Sequence, residues 1–249
     1  MSLIEANAWC GGACATPGKV FPGVAQAPPH HALASIKLTI KHGQFACITG
    51  PSGCGKTTLL NVLAGLDHDY DGEIHLPLIS EHQQPVVGYV FQAPRLLPWR
   101  TVEQNLTLIK DRSASTADVG ELLGLTGLTD FCHAYPERLS TGMQRRLALA
   151  RAFVVEPDLL LLDEPFASLD EATAARLRLL LLAIWRRHST TVIFVTHDLR
   201  EAIQLGQRII RLTGAPGKVD LDMPIPLNPA ERLDTQVIEA WRTRILEVG

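Results

Sequence analysis

The chain has no apolar run long enough to span a bilayer. Its most apolar helix candidate, Leu177 to Trp185, is short and sits among Arg176, Arg178, Arg186 and Arg187, whereas a spanning helix needs about 20 apolar residues. It reads as a buried helix of a soluble domain, so any membrane role must come through a partner. A basic run or stripe is also missing: the net charge is −3, with both signs interspersed, which speaks against nucleic acid as a partner. No positive N-terminal region followed by an apolar run is present, so no secretory signal is expected. The five cysteines, Cys10, Cys14, Cys47, Cys54 and Cys132, are odd in number and lack metal-ligand spacing, which fits reduced thiols in a cytosol. Cys10 and Cys14, near Trp9, read as two ordinary loop thiols. What the chain does have is 249 residues, 46% of them hydrophobic, enough for a large core in one domain or one domain with a subdomain.

The stretch around which the chain is organised is Gly50-Pro51-Ser52-Gly53-Cys54-Gly55-Lys56-Thr57-Thr58, a match to G-x-x-x-x-G-K-[ST]. Its context fits: Phe45 to Thr49 reads as a buried strand entering the loop, and Thr57 to Ala64 as a helix leaving it. Glycines at 50, 53 and 55 let the backbone turn tightly and aim amide hydrogens inward as an anion nest. The helix adds its positive end, Lys56 a mobile cation for the outer phosphates, and the Thr57 hydroxyl a ligand for Mg²⁺. The implied ligand is a nucleoside triphosphate with Mg²⁺. Cys54 reads as the thiol through which an alkylating reagent would inactivate the protein.

Along the chain, residues 1–31 are rich in Gly, Pro and Ala and read as loop, with a short strand at Ser2 to Ala6 as the one exception. Alternation at Ile36, Leu38 and Ile40 predicts a half-buried strand. A turn at Asp69 to Gly72 leads to a short strand from Gly72 to Leu76, then to an extended polar hairpin region. Val86 to Phe91 is a strand that delivers Gln92 at its end. Ala93 to about Tyr135 reads as a mostly helical insertion, with helices from Val102 and across Asp118 to Leu123, where Ser115, Thr116 and Asp118 are candidate caps. A further helix runs from the Leu139 to Gln144 segment to Phe153. The apolar run Leu159 to Leu162 is the pattern of a strand covered on both faces. A helix at Glu171 to Arg187, a strand at Thr191 to Val195, a helix at Leu199 to Leu205 and strands at Arg208 to Leu212 and Lys218 to Asp222 follow. Met223 to Pro229 reads as a linker and Ala230 to Val248 as an amphipathic helix.

Adjacent carboxylates after four leucines, Asp163 and Glu164, are costly unless matched by a cation. Open α/β sheets bind ligands at this end of their strands, which invites a division of labour. Asp163 suits Mg²⁺ held through its water shell, and Glu164 suits a proton acceptor for an attacking water. His197, at the next strand end, is placed to hydrogen-bond the γ-phosphate or that water. Gln92 is placed to contact Mg²⁺ and the water together.

These residues together resemble the ATP-binding subunits of ABC transporters. The phosphate loop, Gln92, Leu-Ser-Thr-Gly-Met at 139–143, Leu-Leu-Leu-Leu-Asp-Glu-Pro at 159–165, Ser-Leu-Asp at 168–170 and Val-Thr-His-Asp at 195–198 occur in the family's order. The resemblance covers about residues 33–222. It implies an α/β fold: a P-loop NTPase core with a mixed sheet, an antiparallel β subdomain and a helical insertion. The whole chain would form a single nucleotide-binding domain, with a helical subdomain at about 93–150 carrying the signature segment and a C-terminal tail at about 225–249. It implies ATP hydrolysis by two such subunits, expected to be identical, that meet head to tail. Ser140 and Gly142 of one would bind the γ-phosphate held by Lys56 of the other, with Asp170 also near the nucleotide. ATP would close the pair and hydrolysis would open it.

The segment from Tyr89 to Val102 and the Gly-Ala-Pro-Gly-Lys-Val turn at 214–219 resemble the nitrate, sulfonate and taurine branch of bacterial importers. That implies transmembrane permease subunits docked near Leu96, Leu97, Pro98 and Trp99. It also implies an indirect extracytoplasmic solute-binding protein, a small transported anion, and a peripheral place on the cytoplasmic face of the inner membrane. Thr141 stands where the family has the first signature glycine, and Met143 where glutamine is usual. A positive φ at Thr141 would carry a strain of about 1 to 2 kcal/mol and weaken closure. The adenine-stacking aromatic falls on Ala27 by ungapped spacing, or on Phe21 if the Pro28-Pro29-His30-His31 region carries an insertion. The alternative class, a soluble ABC ATPase working on nucleic acid or a protein complex, usually brings long coiled-coil or zinc-binding insertions, and this chain has neither. A phosphoryl-transferring kinase would leave Leu139 to Met143 and His197 without roles.

Overall fold

The computed structural model describes residues 12–22, 28–34, 36–76, 85–113, 115–167, 169–186 and 190–248. The described residues begin with four strands, β1 (Gly12–Ala15), β2 (Lys19–Phe21), β3 (His30–Leu33) and β4 (Leu38–Lys41), before β5 (Phe45–Thr49) and α1 (Lys56–Leu63). Next come β6 (Ile74–His75), β7 (Val87–Val90), α2 (Val102–Ser113), α3 (Val119–Thr126) and α4 (Thr141–Phe153). The rest is β8 (Leu159–Asp163), α5 (Glu171–Trp185), β9 (Thr191–Val195), α6 (Leu199–Leu205), β10 (Arg208–Thr213), β11 (Lys218–Pro224) and α7 (Thr235–Glu247).

The main sheet has the order β11-β10-β5-β9-β8-β7. Strands β10, β5, β9, β8 and β7 run parallel, and β11 is antiparallel at one edge. The side-chain alternation of a strand sorts the run of four leucines between the sheet's two faces. Leu160 and Leu162 join Phe45, Phe194 and Ile209 under α4, α5, α6 and α7. Leu159 and Leu161 join Ile48, Ile193 and Ile210 against Leu59, Leu60 and Leu63 of α1 and Leu38 and Ile40 of β4. A run that looks uniform in sequence is thus two half-cores back to back. A third apolar cluster, with Val102, Leu106, Leu123 and Leu147, knits α2 and α3 to one side of α4.

Smaller sheets account for the chain ahead of the phosphate loop. β1 lies between β4 and β6 in an antiparallel three-stranded sheet, and β2 pairs with β3. This corrects the reading of residues 1–31 as loop: three strands fall there, Cys14 among them. Their shortness and Gly/Pro content hid the alternation that marks strands. The expected strand at Ser2 to Ala6, Cys10, and most of the polar hairpin after Leu76 lie outside the described residues. Two late boundaries also move. β11 continues to Pro224 into the expected linker, and α7 starts at Thr235, capped by Asp234, after a short 3₁₀ turn at Glu231–Leu233. Asp118 caps α3, as one of the three candidates, whereas Ser115 and Thr116 bond the Glu156 carboxylate.

Because Leu162 is fully buried on a strand packed from both faces, Leu162→Ala is expected to destabilise the protein by about 2 to 5 kcal/mol. Leu179→Ala, at a residue 60% exposed on α5, should change stability by less than about 0.5 kcal/mol. Urea unfolding of the two variants checks the contrast.

Candidate functional site

Strand register aligns the site. Ile48 of β5 and Asp163 of β8 both pair with Val195 of β9, and Val90 of β7 pairs with Leu162. The residues that follow therefore emerge side by side at the carboxyl edge of the sheet: the phosphate loop after β5, Glu164 after β8, His197 after β9 and Gln92 after β7.

The loop is held from two sides. Gly50 has φ of +145°, and a Cβ there would lie 2.3 Å from the Leu212 carbonyl oxygen of β10. Gly55, at φ of +89°, would put a Cβ 2.5 Å from the Leu33 side chain and 2.7 Å from the Ala32 carbonyl oxygen of β3. Only glycine fits either place. Lys56 is 6% exposed and its Nζ donates to the Gly50 and Pro51 carbonyls at 2.9 and 2.8 Å. Here the Lys56 ammonium is folded over the carbonyls of its own loop. Helices α3 to α7 each have a side-chain N-cap, from Asp118, Ser140, Asp170, Asp198 and Asp234. α1, entered through Gly55, has no side-chain cap. Its first amides are left to the loop, the arrangement that favours an anion.

Cys54 departs from expectation. It is 1% exposed and Sγ lies 4.0 Å from Lys56 Nζ. Burial pushes the thiol up, with the Lys56 charge opposing. A buried thiol kept protonated is a poor nucleophile, so what Cys54 contributes to the loop is backbone and packing.

Asp163 is 4% exposed and hydrogen-bonded to the Thr57 side chain. Burial pushes its carboxyl up and the Glu164 charge adds to this, while Thr57 and Lys56 pull it down. Glu164 occupies the left-handed region at φ of +44°, and its N–H donates to the Val195 carbonyl at 2.9 Å. A non-glycine residue held there is strained by about 1 to 3 kcal/mol. The result aims its carboxylate at His197, with Oε2 to Nδ1 at 3.0 Å. An ionised carboxylate only accepts, so Nδ1 carries the proton in this pair. The sequence placed His197 beside phosphate or water, and the structure adds Glu164 as its direct partner.

Gln92 is exposed, and its neighbours are gripped. Arg145 and Arg151 of α4 donate to the carbonyls of Phe91 and Pro94 at 3.3 and 3.2 Å. Phe91 stacks on Tyr89 at 4.0 Å, and the Arg95 guanidinium lies 3.9 Å from the Phe91 ring centre. Tyr89 in turn donates to Asn61 of α1 at 3.1 Å. None of these supports was anticipated, because Arg145 and Arg151 reach carbonyls 54 and 57 residues earlier in the chain. Phe21 ends β2 opposite His30 of β3. Its ring is 38% exposed and lies parallel to that of His30, with centres 6.5 Å apart. Ala27 lies outside the described residues.

Ser140, Gly142 and Asp170 gather elsewhere. They line, with Arg146 and Thr173, a cleft of about 520 Å³ to which no residue of 50–58 contributes. Ser140 Oγ accepts from the Met143 amide at 3.3 Å. Thr141 is the first residue of α4 and is not among the described residues with positive φ, so the anticipated strain does not arise. Gly142 allows close packing of α4 on α5, since a Cβ would meet Thr173 Cγ2 at 2.8 Å. Thr173 also holds the Asp170 carboxyl below its usual range, through hydrogen bonds from its side chain and amide. Ser168 lies outside the described residues.

A parallel sheet with a phosphate loop and paired acids at its carboxyl edge defines a nucleotide-hydrolysing class of protein. Residues 33–167 match the family model described as ABC transporter. The chain is 44% identical over 218 residues to the aliphatic sulfonates import ATP-binding protein SsuB of Bacillus subtilis, covering 86% of this chain and 85% of that one. It is 42% identical over 218 residues to SsuB 2 of Burkholderia lata, covering 86% and 80%. The solved structure of the ATP-binding cassette MJ0796, a dimer in a post-hydrolysis state bound to ADP and Pi, superposes with a TM-score of 0.74 at 29% identity, covering 87% of this chain and 100% of that one. The chain belongs to the ABC transporter family, as one of its ATP-binding, ATP-hydrolysing proteins.

Burial makes a prediction about Cys54. Alkylation of Cys54 in the native protein is expected to be at least about 10-fold slower than in the urea-unfolded chain, as followed by mass spectrometry of the peptide carrying it.

Proposed function

We propose that this chain is the ATP-hydrolysing subunit of a membrane importer for aliphatic sulfonates or a similar small anion. It would work at the cytoplasmic face of the plasma membrane, paired with a second ATPase subunit and held by transmembrane permease subunits that receive solute from an extracytoplasmic binding protein. The observation that carries the catalytic part is the Glu164 to His197 contact beside the buried Asp163 and the phosphate loop. The solute class rests on the names of the relatives. Trp99, 68% exposed beside Pro98, and the apolar groove that Leu97 lines with Val87, Tyr89 and Ile109 support docking of a permease segment. On this reading residues 1–249 form one nucleotide-binding domain, with the helical subdomain at about 93–150 supported by its own apolar cluster, and a tail from about 225.

Each residue then has work to do. Backbone amides of 52–57 and the free start of α1 hold the β- and γ-phosphates, and Lys56 turns its charge from the loop carbonyls toward them. Thr57 and Asp163, already in contact, are hard oxygen donors of the kind Mg²⁺ takes, with Gln92 as a third, and the cation would neutralise phosphate charge there. Glu164 accepts a proton from the attacking water, and the His197 Nδ1 proton keeps its carboxylate aimed. Phe21 offers an aromatic face for the adenine. Ser140, Gly142 and Asp170 serve the nucleotide of the facing subunit.

Glu164→Gln is expected to lower kcat for ATP by about 100-fold or more while ATP still binds, and to leave an ATP-dependent dimer visible by size-exclusion chromatography. Turnover at the normal rate would overturn the role of Glu164. Tagged protein drawn from detergent-solubilised membranes should carry a polytopic permease in about equal amount, identified by mass; recovery of soluble proteins or nucleic acid alone would refute the importer.

A further inference from the structure

The geometry points to Arg178, acting through Glu201 and Thr196, as the positioning residue that ties the His197 loop to the start of helix α5. Arg178 is 8% exposed on α5. One end of its guanidinium bonds Glu171 in the first turn of the same helix, and Nη1 lies 3.6 Å from Glu201 Oε1 of α6. The other Glu201 oxygen accepts the Thr196 hydroxyl proton at 2.7 Å, and that same hydroxyl oxygen accepts the Asp198 amide at 3.0 Å. Both neighbours of His197 are therefore fastened to one hydroxyl, and the imidazole between them reaches Glu164. At the far end, Glu171 follows Asp170, and Thr173 of the same turn packs on Gly142. The chain of contacts runs from the signature cleft to the His197 loop.

Energetics favour positioning over simple stabilisation. A buried ion pair often stabilises less than apolar residues of the same size would, because both charges lose their water. Glu201 feels this: burial pushes its carboxyl up, with the Thr196 hydroxyl, Arg178 and His197 pulling the other way and Asp198 adding to the rise. Two apolar side chains would join α5 to α6 just as well, but neither could hold Thr196 in direction. A hydrogen-bonded carboxylate fixes the hydroxyl, the hydroxyl fixes the backbone turn, and the turn fixes the ring.

The inference rests on the hydrolytic role of Glu164 and His197 proposed above, and its test separates the two. Steady-state ATP hydrolysis is measured on the full chain for Arg178→Met, Glu201→Gln, the double variant and Glu164→Gln, with thermal unfolding of each. Arg178→Met and Glu201→Gln are expected to lower kcat by about 10-fold or more with KM for ATP within about two-fold, and the double variant to lose no more than the worse single one. The double variant leaves no unpaired charge buried, so it folds even where a single variant is too unstable to assay. Full turnover by the double variant, or loss of kcat that tracks a falling unfolding midpoint and is restored in the double variant, overturns the positioning role. Undiminished hydrolysis by Glu164→Gln would instead remove the site reading beneath it.

Discussion

Everything at the site depends on the pairing of β5, β9 and β8 in one register. Val195 is bonded between Ile48 and Asp163, so a slip of one residue in any of the three strands would turn inward side chains outward and carry the phosphate loop away from the acids. The apolar residues hold that register because both faces of the sheet are covered. Alternate leucines of β8 are committed to different helices, and no shifted pairing satisfies both sets. Stability and catalytic geometry thus share one constraint.

A second constraint is electrostatic. The carboxyl edge concentrates Asp163, Glu164 and, one turn into α6, Glu201, all poorly exposed or buried, while Lys56 and Arg178 are buried near them. Each acid has a distinct partner: Thr57 for Asp163, His197 for Glu164, Thr196 and Arg178 for Glu201. Such partition keeps like charges from collapsing onto one cation. It also assigns different chemistry to chemically similar groups, since a carboxylate facing a hydroxyl and one facing an imidazole differ in what they can accept next.

Much of this was legible from residue order, because the features that mattered were local. The glycines of 50–55, the apolar run ending in Asp163 and Glu164, and the helix entered through Ser140 each carry their meaning within about ten residues. What could not be read depends on contacts far apart in the chain. Arg145 and Arg151 take on a role only when the fold turns α4 under the Gln92 loop, and Cys54 looks reactive until Gly50 and Lys56 enclose it. Thr141 is the reverse case. It seemed a strained substitution only while its backbone was unknown, and as the first residue of a helix it needs no left-handed conformation. Strands β1 to β3 were missed because short paired segments rich in glycine and proline carry almost no periodicity. The left-handed backbone of Glu164 leaves no trace in residue type.

The separation of the signature cleft from the phosphate loop has a further consequence. Ser140, Gly142 and Asp170 gather on one surface and the loop on another, so on the proposed reading a single chain carries two half-sites and no complete one. A two-fold axis that faces one half-site with the other half-site of a second copy completes both at once, whereas any one-sided contact leaves a surplus half-site exposed. On that reading, closed pairing is the arrangement that uses both half-sites of each chain. The Arg178 contacts run within one chain, from the half-site that would meet the partner's nucleotide to the histidine that would act on its own. A subunit arranged this way has a physical route by which closure over one nucleotide can be felt at the other.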